Sequence, residues 1–310
     1  MSVINTNVTA LYSQNAMKTN ARAQSTAMEQ LSTGTRVNAA KDDAAGLAIG
    51  QNMTSQIRGL NQAVRNLNDG INMMQTAEGA MIEQSNMLQR MRELAVQSMN
   101  GTYSNVQRGY LDKEFQALSV QIGKIASDTK WNDQTLLDAS QTQNTTVGTF
   151  KFQAGMASGQ TVVVTINAMT LTGLGIDAQA AFATNRVSNG DPDVYGNIAT
   201  VSIAAQASAL PDIGTASRAL STLALVSTAL ETINSQRAVL GAAINRMTYA
   251  TDNLTNISAN TAQSRSGIMD TDYALASTQL AKTQIVQQAA TAMLAQANQQ
   301  PQAVLSLLKQ

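Results

Sequence analysis

The sequence contains no cysteine and no histidine. Those two absences remove disulfides, zinc sites of the Cys/His type, Ser-His-Asp and Cys-His nucleophile systems and the commonest general base, and with them most classes of enzyme. Proline occurs only at Pro192, Pro211 and Pro301, so nothing before Pro192 breaks a helix in that way. Aromatic residues make up 4% and charged residues 13% of the chain, against 44% apolar residues rich in alanine. A large compact core of Phe, Tyr and Trp is thereby excluded, and helix packed on helix is expected. The 20 basic side chains balance 20 acidic ones, which leaves no net charge to attract nucleic acid. No apolar run is long enough to span a bilayer, so no membrane insertion is expected.

What is present is periodicity. Ile57, Leu60, Val64, Leu67, Ile71, Met74, Met81 and Leu88 recur in alternating steps of three and four, interrupted at Glu78 and Ser85. The stripe continues through Met91, Leu94 and Ala95 to Asn100-Gly101, residues suited to a turn. Leu111, Phe115, Leu118, Ile122 and Ile125 mark a second helix. Leu223, Val226, Leu230, Ile233, Leu240, Ile244, Met247 and Leu254 mark a third, with Arg237 and Thr251 as polar exceptions. Each stripe is narrow, so no helix buries its apolar face alone and the three are expected to pack together. The methionines, at helical spacing, read as core filler. Thr149 to Phe152 and Thr161 to Ile166 are β-rich runs joined by a loop at 154–160, and Asn189 to Pro192 marks another turn. The fold class predicted is mainly α: an elongated, discontinuous bundle of long coiled-coil-like helices with a small β-hairpin region.

The two ends are charge-poor. Residues 1–35 carry only Lys18, Arg22 and Glu29 as charges, and residues 273–310 only Lys282 and Lys309. Ile4, Val8, Leu11, Met28 and Leu31, and Leu275, Ile285, Val286 and Met293, permit amphipathic helices with alanine-rich seams. Ordering a residue costs about 1 to 2 kcal/mol, while a large apolar side chain returns about 1.5 to 3 kcal/mol when fully buried. With so few such side chains, the ends are expected to stay loose until another molecule covers them, as in an assembling subunit.

Candidate chemistry is sparse. Asp42 and Asp43 are adjacent carboxylates before an Ala-Gly-Leu-Ala-Ile run, which suits the positive end of a helix better than an acid/base pair. Leu171 to Gly175 carries glycines but no phosphate-binding lysine, a very weak phosphate loop. Asn7-Val8-Thr9 and Asn144-Thr145-Thr146 are formal glycosylation sequons that mean little without a secretory signal.

The run Gln30 to Ile49, QLSTGTRVNAAKDDAAGLAI, is similar to the flagellin signature almost position for position. Val3 to Asn7, Gln89 to Gln97 and the tail from Ile285 to Leu308 add three further matches in order, and together the chain resembles the bacterial flagellins. The resemblance implies that both termini pair as helices in an inner core domain, taken as 1–43 with 267–310. A three-helix bundle domain then covers 44–266, with a short 141–210 region in place of outer domains. The function it implies is a structural, non-enzymatic subunit polymerising into the flagellar filament for swimming motility, without cofactor or metal. Within the same architecture the alternative is a hook–filament junction protein, and from another class a cytoplasmic coiled-coil interaction module.

The partners implied are further copies of the chain in a helical homopolymer, the flagellar export apparatus and export chaperone, and filament cap and hook-associated proteins. A vertebrate flagellin-sensing Toll-like receptor is implied as well. Location on the extracellular filament is expected, reached without a cleaved signal peptide, since residues 1–15 have neither the basic start nor the apolar stretch of one. Polymerisation is assigned to Ile4, Val8, Leu11, Leu31, Leu275, Ile285, Val286 and Met293. Receptor and subunit contact is assigned to Gln89, Arg90, Leu94 and Glu114, with Arg90 and Leu94 expected toward an outer face while Leu88, Met91 and Ala95 face the bundle.

Overall fold

The computed structural model describes residues 7–138, 147–176 and 211–308. Ile4, the Asn144 sequon and the turn at 189–192 lie outside the described residues. Five long helices dominate the described residues: α1 (Val8–Thr33), α2 (Ala44–Met99), α3 (Asn105–Asp128), α4 (Ala216–Met269) and α5 (Tyr273–Leu308). Four strands complete them: β1 (Lys130–Trp131), β2 (Gln134–Thr135), β3 (Val147–Gln153) and β4 (Thr161–Asn167). The chain divides into two compact units, Met1–Gly59 with Asn256–Gln310, and Leu60–Thr255, so α2 and α4 each contribute residues to both.

Helix ends follow local chemistry. Asn7 caps α1 by accepting from the Ala10 N–H, and α1 stops at Gly34, whose φ of 72° suits a residue without a Cβ. The Asp43 carboxylate accepts from the Gly46 N–H at 2.8 Å, and Asp42 accepts from the Asn38 and Ala39 N–H groups. The adjacent acids therefore hold the turn that starts α2. Ser104 and Gln107 form a reciprocal capping box at α3, and Asp272 accepts from the N–H groups of Ala274 and Leu275 at the start of α5.

In the first unit α1 and α5 run antiparallel, Asn7 meeting Ala297 and Asn20 meeting Thr283 and Gln287. Their contact is made of small and polar side chains: Ala10, Ala27, Ala276 and Thr283 are the buried ones. Helix α5 passes through Pro301. Proline has no N–H, so the Ala297 carbonyl four residues earlier loses its helical donor. Asn7 supplies the replacement, its Nδ2 donating to Ala297 O at 2.9 Å. The same side chain thus starts one terminal helix and mends the other. Farther along, Arg36 donates from its backbone N–H to Met269 O at 2.6 Å and Thr271 donates to Gly34 O at 3.0 Å, an antiparallel bridge between the two connecting segments.

In the second unit the seam is resolved into two depths. Leu60, Leu67, Met74, Met81 and Leu88 of α2 and Val226, Ile233, Leu240, Met247 and Leu254 of α4, each set spaced by seven, are buried. The intervening positions Val64, Ile71, Leu223, Leu230 and Ile244 are half-buried. Glu78 and Arg237, one polar interruption from each stripe, fall in the half-buried set and meet each other at 3.7 Å. Helix α3 adds Phe115, Ile122 and Ala126 to the same core, and its Asp112 and Gln116 bond Ile213 N and Pro211 O, pinning the entry to α4.

The expected hairpin is present as β3 paired antiparallel with β4, Phe150 opposite Val164. Alternation buries Val164 and Ile166 of β4. Gln236 of α4 donates to Thr165 O at 2.9 Å, and the buried Gln84 of α2 donates to both Ile122 O and Met169 O. Gly70 makes room for the ring of Phe152, since a Cβ there would sit 2.8 Å from a ring carbon. A second, shorter hairpin, β1 with β2, turns through Asn132 and Asp133 at positive φ. Asn and Asp tolerate that conformation, a signal present in Trp131-Asn132-Asp133-Gln134 that the β-run pattern missed.

Candidate assembly surface

The small-residue contact between α1 and α5 has a consequence for the large apolar side chains of both helices. They remain outside it. Leu11 is 64% exposed, Leu275 70%, Ile285 65% and Met293 64%, with Val8 and Val286 also exposed; Leu31 is half-buried. Tyr12 and Tyr273 are exposed on the same helices and were not singled out by the apolar periodicity, because a tyrosine in a charge-poor segment reads equally as solvent-facing. Val286 also lines a groove of about 450 Å³ along the pair, with Ala16, Asn20, Ala23, Lys282 and Thr283. These exposed apolar side chains on two charge-poor helices make the pair a candidate interaction face.

The second set of residues is divided by the structure. Arg90 of α2 donates from Nε to Glu114 Oε1 of α3 at 2.9 Å and from Nη1 to Glu93 Oε2 at 3.0 Å. The hydrogen bond to Glu114, then that to Glu93, raises the guanidinium pKa further above its ordinary value, so Arg90 is a permanent cation clamped between two carboxylates. Gln89 is exposed beside it. Leu94 does not belong on this face. It is 1% exposed and packs in the core with Leu88, Met91 and Ala95. The outer-face expectation for Leu94 assumed a narrow two-position seam, whereas α3 lies against α2 here and widens the buried arc to include it. The exposed apolar neighbour within the same stretch is Val96.

The glycine-bearing segment at 171–175 offers no anion cradle. The N–H groups of Gly173, Leu174 and Gly175 are engaged by Thr170 and Thr172, and Leu174 is buried. Among the described residues no group of three or more His, Cys, Asp or Glu side chains is placed to hold a metal, and no helix is long and apolar enough to cross a membrane.

Known proteins resemble this chain over most of its length. The bacterial flagellin N-terminal helical region matches residues 4–142, and the bacterial flagellin C-terminal helical region matches residues 223–308. Flagellin B of Vibrio anguillarum is 37% identical, over 98% of this chain and 99% of its own length. A flagellin of Halalkalibacterium halodurans is 39% identical, over 99% of this chain and 100% of its own. The crystal structure of Bacillus cereus flagellin is similar at 24% identity with a TM-score of 0.44, covering 64% of this chain and 94% of that one.

Proposed function

The chain belongs to the bacterial flagellin family, and from that premise we propose that the exposed apolar side chains of α1 and α5 are the surface through which its copies polymerise. It is a structural, self-polymerising subunit of the flagellar filament that serves motility, not an enzyme. Likeness to flagellins over nearly the whole length does not favour the hook–filament junction protein or the cytoplasmic coiled-coil module.

The observation that carries the proposal is the division of labour on α1 and α5, in which alanine, threonine and asparagine hold the pair while Val8, Leu11, Leu275, Ile285, Val286 and Met293 stay exposed. Ile4, outside the described residues, extends the set by sequence. Enclosing a large apolar side chain fully is worth about 1.5 to 3 kcal/mol. Since these are already roughly half covered, the six together supply about 5 to 10 kcal/mol. That is the size of the association cost, about 4 to 15 kcal/mol, so the loss of one anchor is felt. Inner-core residues 1–43 with 267–310 and bundle residues 44–266 are the working domains of this reading. A head-to-tail contact that does not close gives the filament.

The export apparatus with its chaperone, the cap and hook-associated proteins, and a vertebrate Toll-like receptor are the further partners proposed. The receptor contact falls on Gln89, Arg90 and Glu114, with Leu94 acting through the core beneath them. Delivery to the outside by the flagellar export route without signal cleavage belongs to the same reading.

The test is seeded polymerisation followed by sedimentation. Ile285→Asp places an unpaired carboxylate on the surface that assembly encloses and is expected to abolish polymerisation, while the exposed Gln62→Glu leaves it unchanged. Normal filaments from Ile285→Asp would overturn the proposal.

A further inference from the structure

The fold sorts the methionines of the described residues by access. Met73, Met74, Met81, Met91, Met169 and Met247 are 4% exposed or less and serve as core filler in the second unit. Met28 and Met293 are 55% and 64% exposed, one on each of the paired terminal helices. Met293 follows Val286 by seven residues and Leu275 by eighteen, two and five helical turns, so the three share one exposed stripe of α5. Thioether oxidation follows access, and its product is a polar, chiral group where an apolar one stood.

We propose that Met293, together with Met28, is an oxidative modification site through which peroxides withdraw the free subunit from assembly. In the reaction the sulfur lone pair attacks one oxygen of hydrogen peroxide. An S–O bond forms as the O–O bond breaks, sulfur is oxidised by two electrons, and the other oxygen leaves as water after proton transfer. The sulfoxide dipole must then be desolvated when the next copy covers the stripe, which works against burial. Assembly conversely encloses the thioethers and protects them, so the free subunit is sensitive and the filament resistant. Methionine sulfoxide reductases reverse the change. The inference rests on the terminal helices being the polymerisation surface.

Monomers treated with dilute hydrogen peroxide are mapped by peptide mass and then seeded. Met28 and Met293 are expected to gain about 16 Da, one oxygen, before any buried core methionine does. The critical concentration should rise about tenfold to a hundredfold, and reductase treatment should restore it. In the Met28→Leu/Met293→Leu variant, whatever its untreated critical concentration, peroxide is expected to leave that concentration unmoved, although Met156, 54% exposed in the β3–β4 loop, is still oxidised. Filaments oxidised after assembly should keep both methionines unmodified. Wild-type protein that carries both sulfoxides yet assembles at an unchanged critical concentration overturns the proposal, as does a double variant that loses assembly to peroxide as fully as the wild type. Normal filaments from Ile285→Asp would instead overturn the reading of the terminal helices as the assembly surface, so the two failures are distinct.

Discussion

Leu94 provides a test of whether the Gln89 to Gln97 stretch works by contact or by packing. Truncating Leu94 to alanine removes a side chain that is 1% exposed and shares its cluster with Leu88, Met91, Ala95 and Phe115. A leucine deleted from such a site leaves a cavity and costs about 2 to 5 kcal/mol. Urea denaturation followed by circular dichroism reads this directly: with a slope of about 1 to 3 kcal/mol per molar, the midpoint should fall by about 1 to 2 M. Arg90→Ala is the control. Its ion pairs with Glu93 and Glu114 are half exposed, so their loss costs at most about 1 kcal/mol. That variant should lower receptor signalling by the monomer with the denaturation midpoint nearly unmoved. The reasoning is refuted if Leu94→Ala lowers signalling while its midpoint matches the wild type, since Leu94 would then act as an exposed contact and not through the core.

Two further outcomes follow from local geometry. Asn7→Asp keeps an acceptor for the Ala10 N–H but removes the donor to Ala297 O, and should cost about 0.5 to 1.5 kcal/mol in amide-exchange protection of α1 and α5. In a Pro301→Ala background the helix regains its own N–H for that carbonyl and the penalty should vanish, whereas an equal penalty in both backgrounds would disprove the link. Gly70→Val drives a branched side chain into the Phe152 ring and should cost about 1 to 3 kcal/mol by overpacking. Trp131, the single tryptophan, lines the same cleft as Phe152, so its emission should shift to the red, and unchanged emission would mean that the hairpin does not rest on that turn of α2.

Much of this protein was decided by pattern alone. Alternating steps of three and four from Ile57 to Leu88 and from Leu223 to Leu254 demand helices with one apolar edge, because only that geometry gathers residues so spaced on a single line. The β3–β4 hairpin is likewise written in its threonines and valines, and the Gln30 to Ile49 run carries the family resemblance. Tertiary packing decided what a one-dimensional stripe cannot express. Whether Leu94 faces solvent depends on how many helices lie against α2, and with α3 beside that stretch, as the Arg90–Glu114 pair shows, it lies in the core. Glu78 and Arg237 look like two separate defects until antiparallel packing brings them within 3.7 Å. On the termini both an alanine-rich seam and a set of large apolar residues are legible, and only the packing of α1 on α5 encloses Ala10, Ala27 and Ala276 while it leaves Leu11, Leu275 and Ile285 exposed. Each of these outcomes depends on the identity of a neighbour remote in sequence, and periodicity records only that some neighbour is needed.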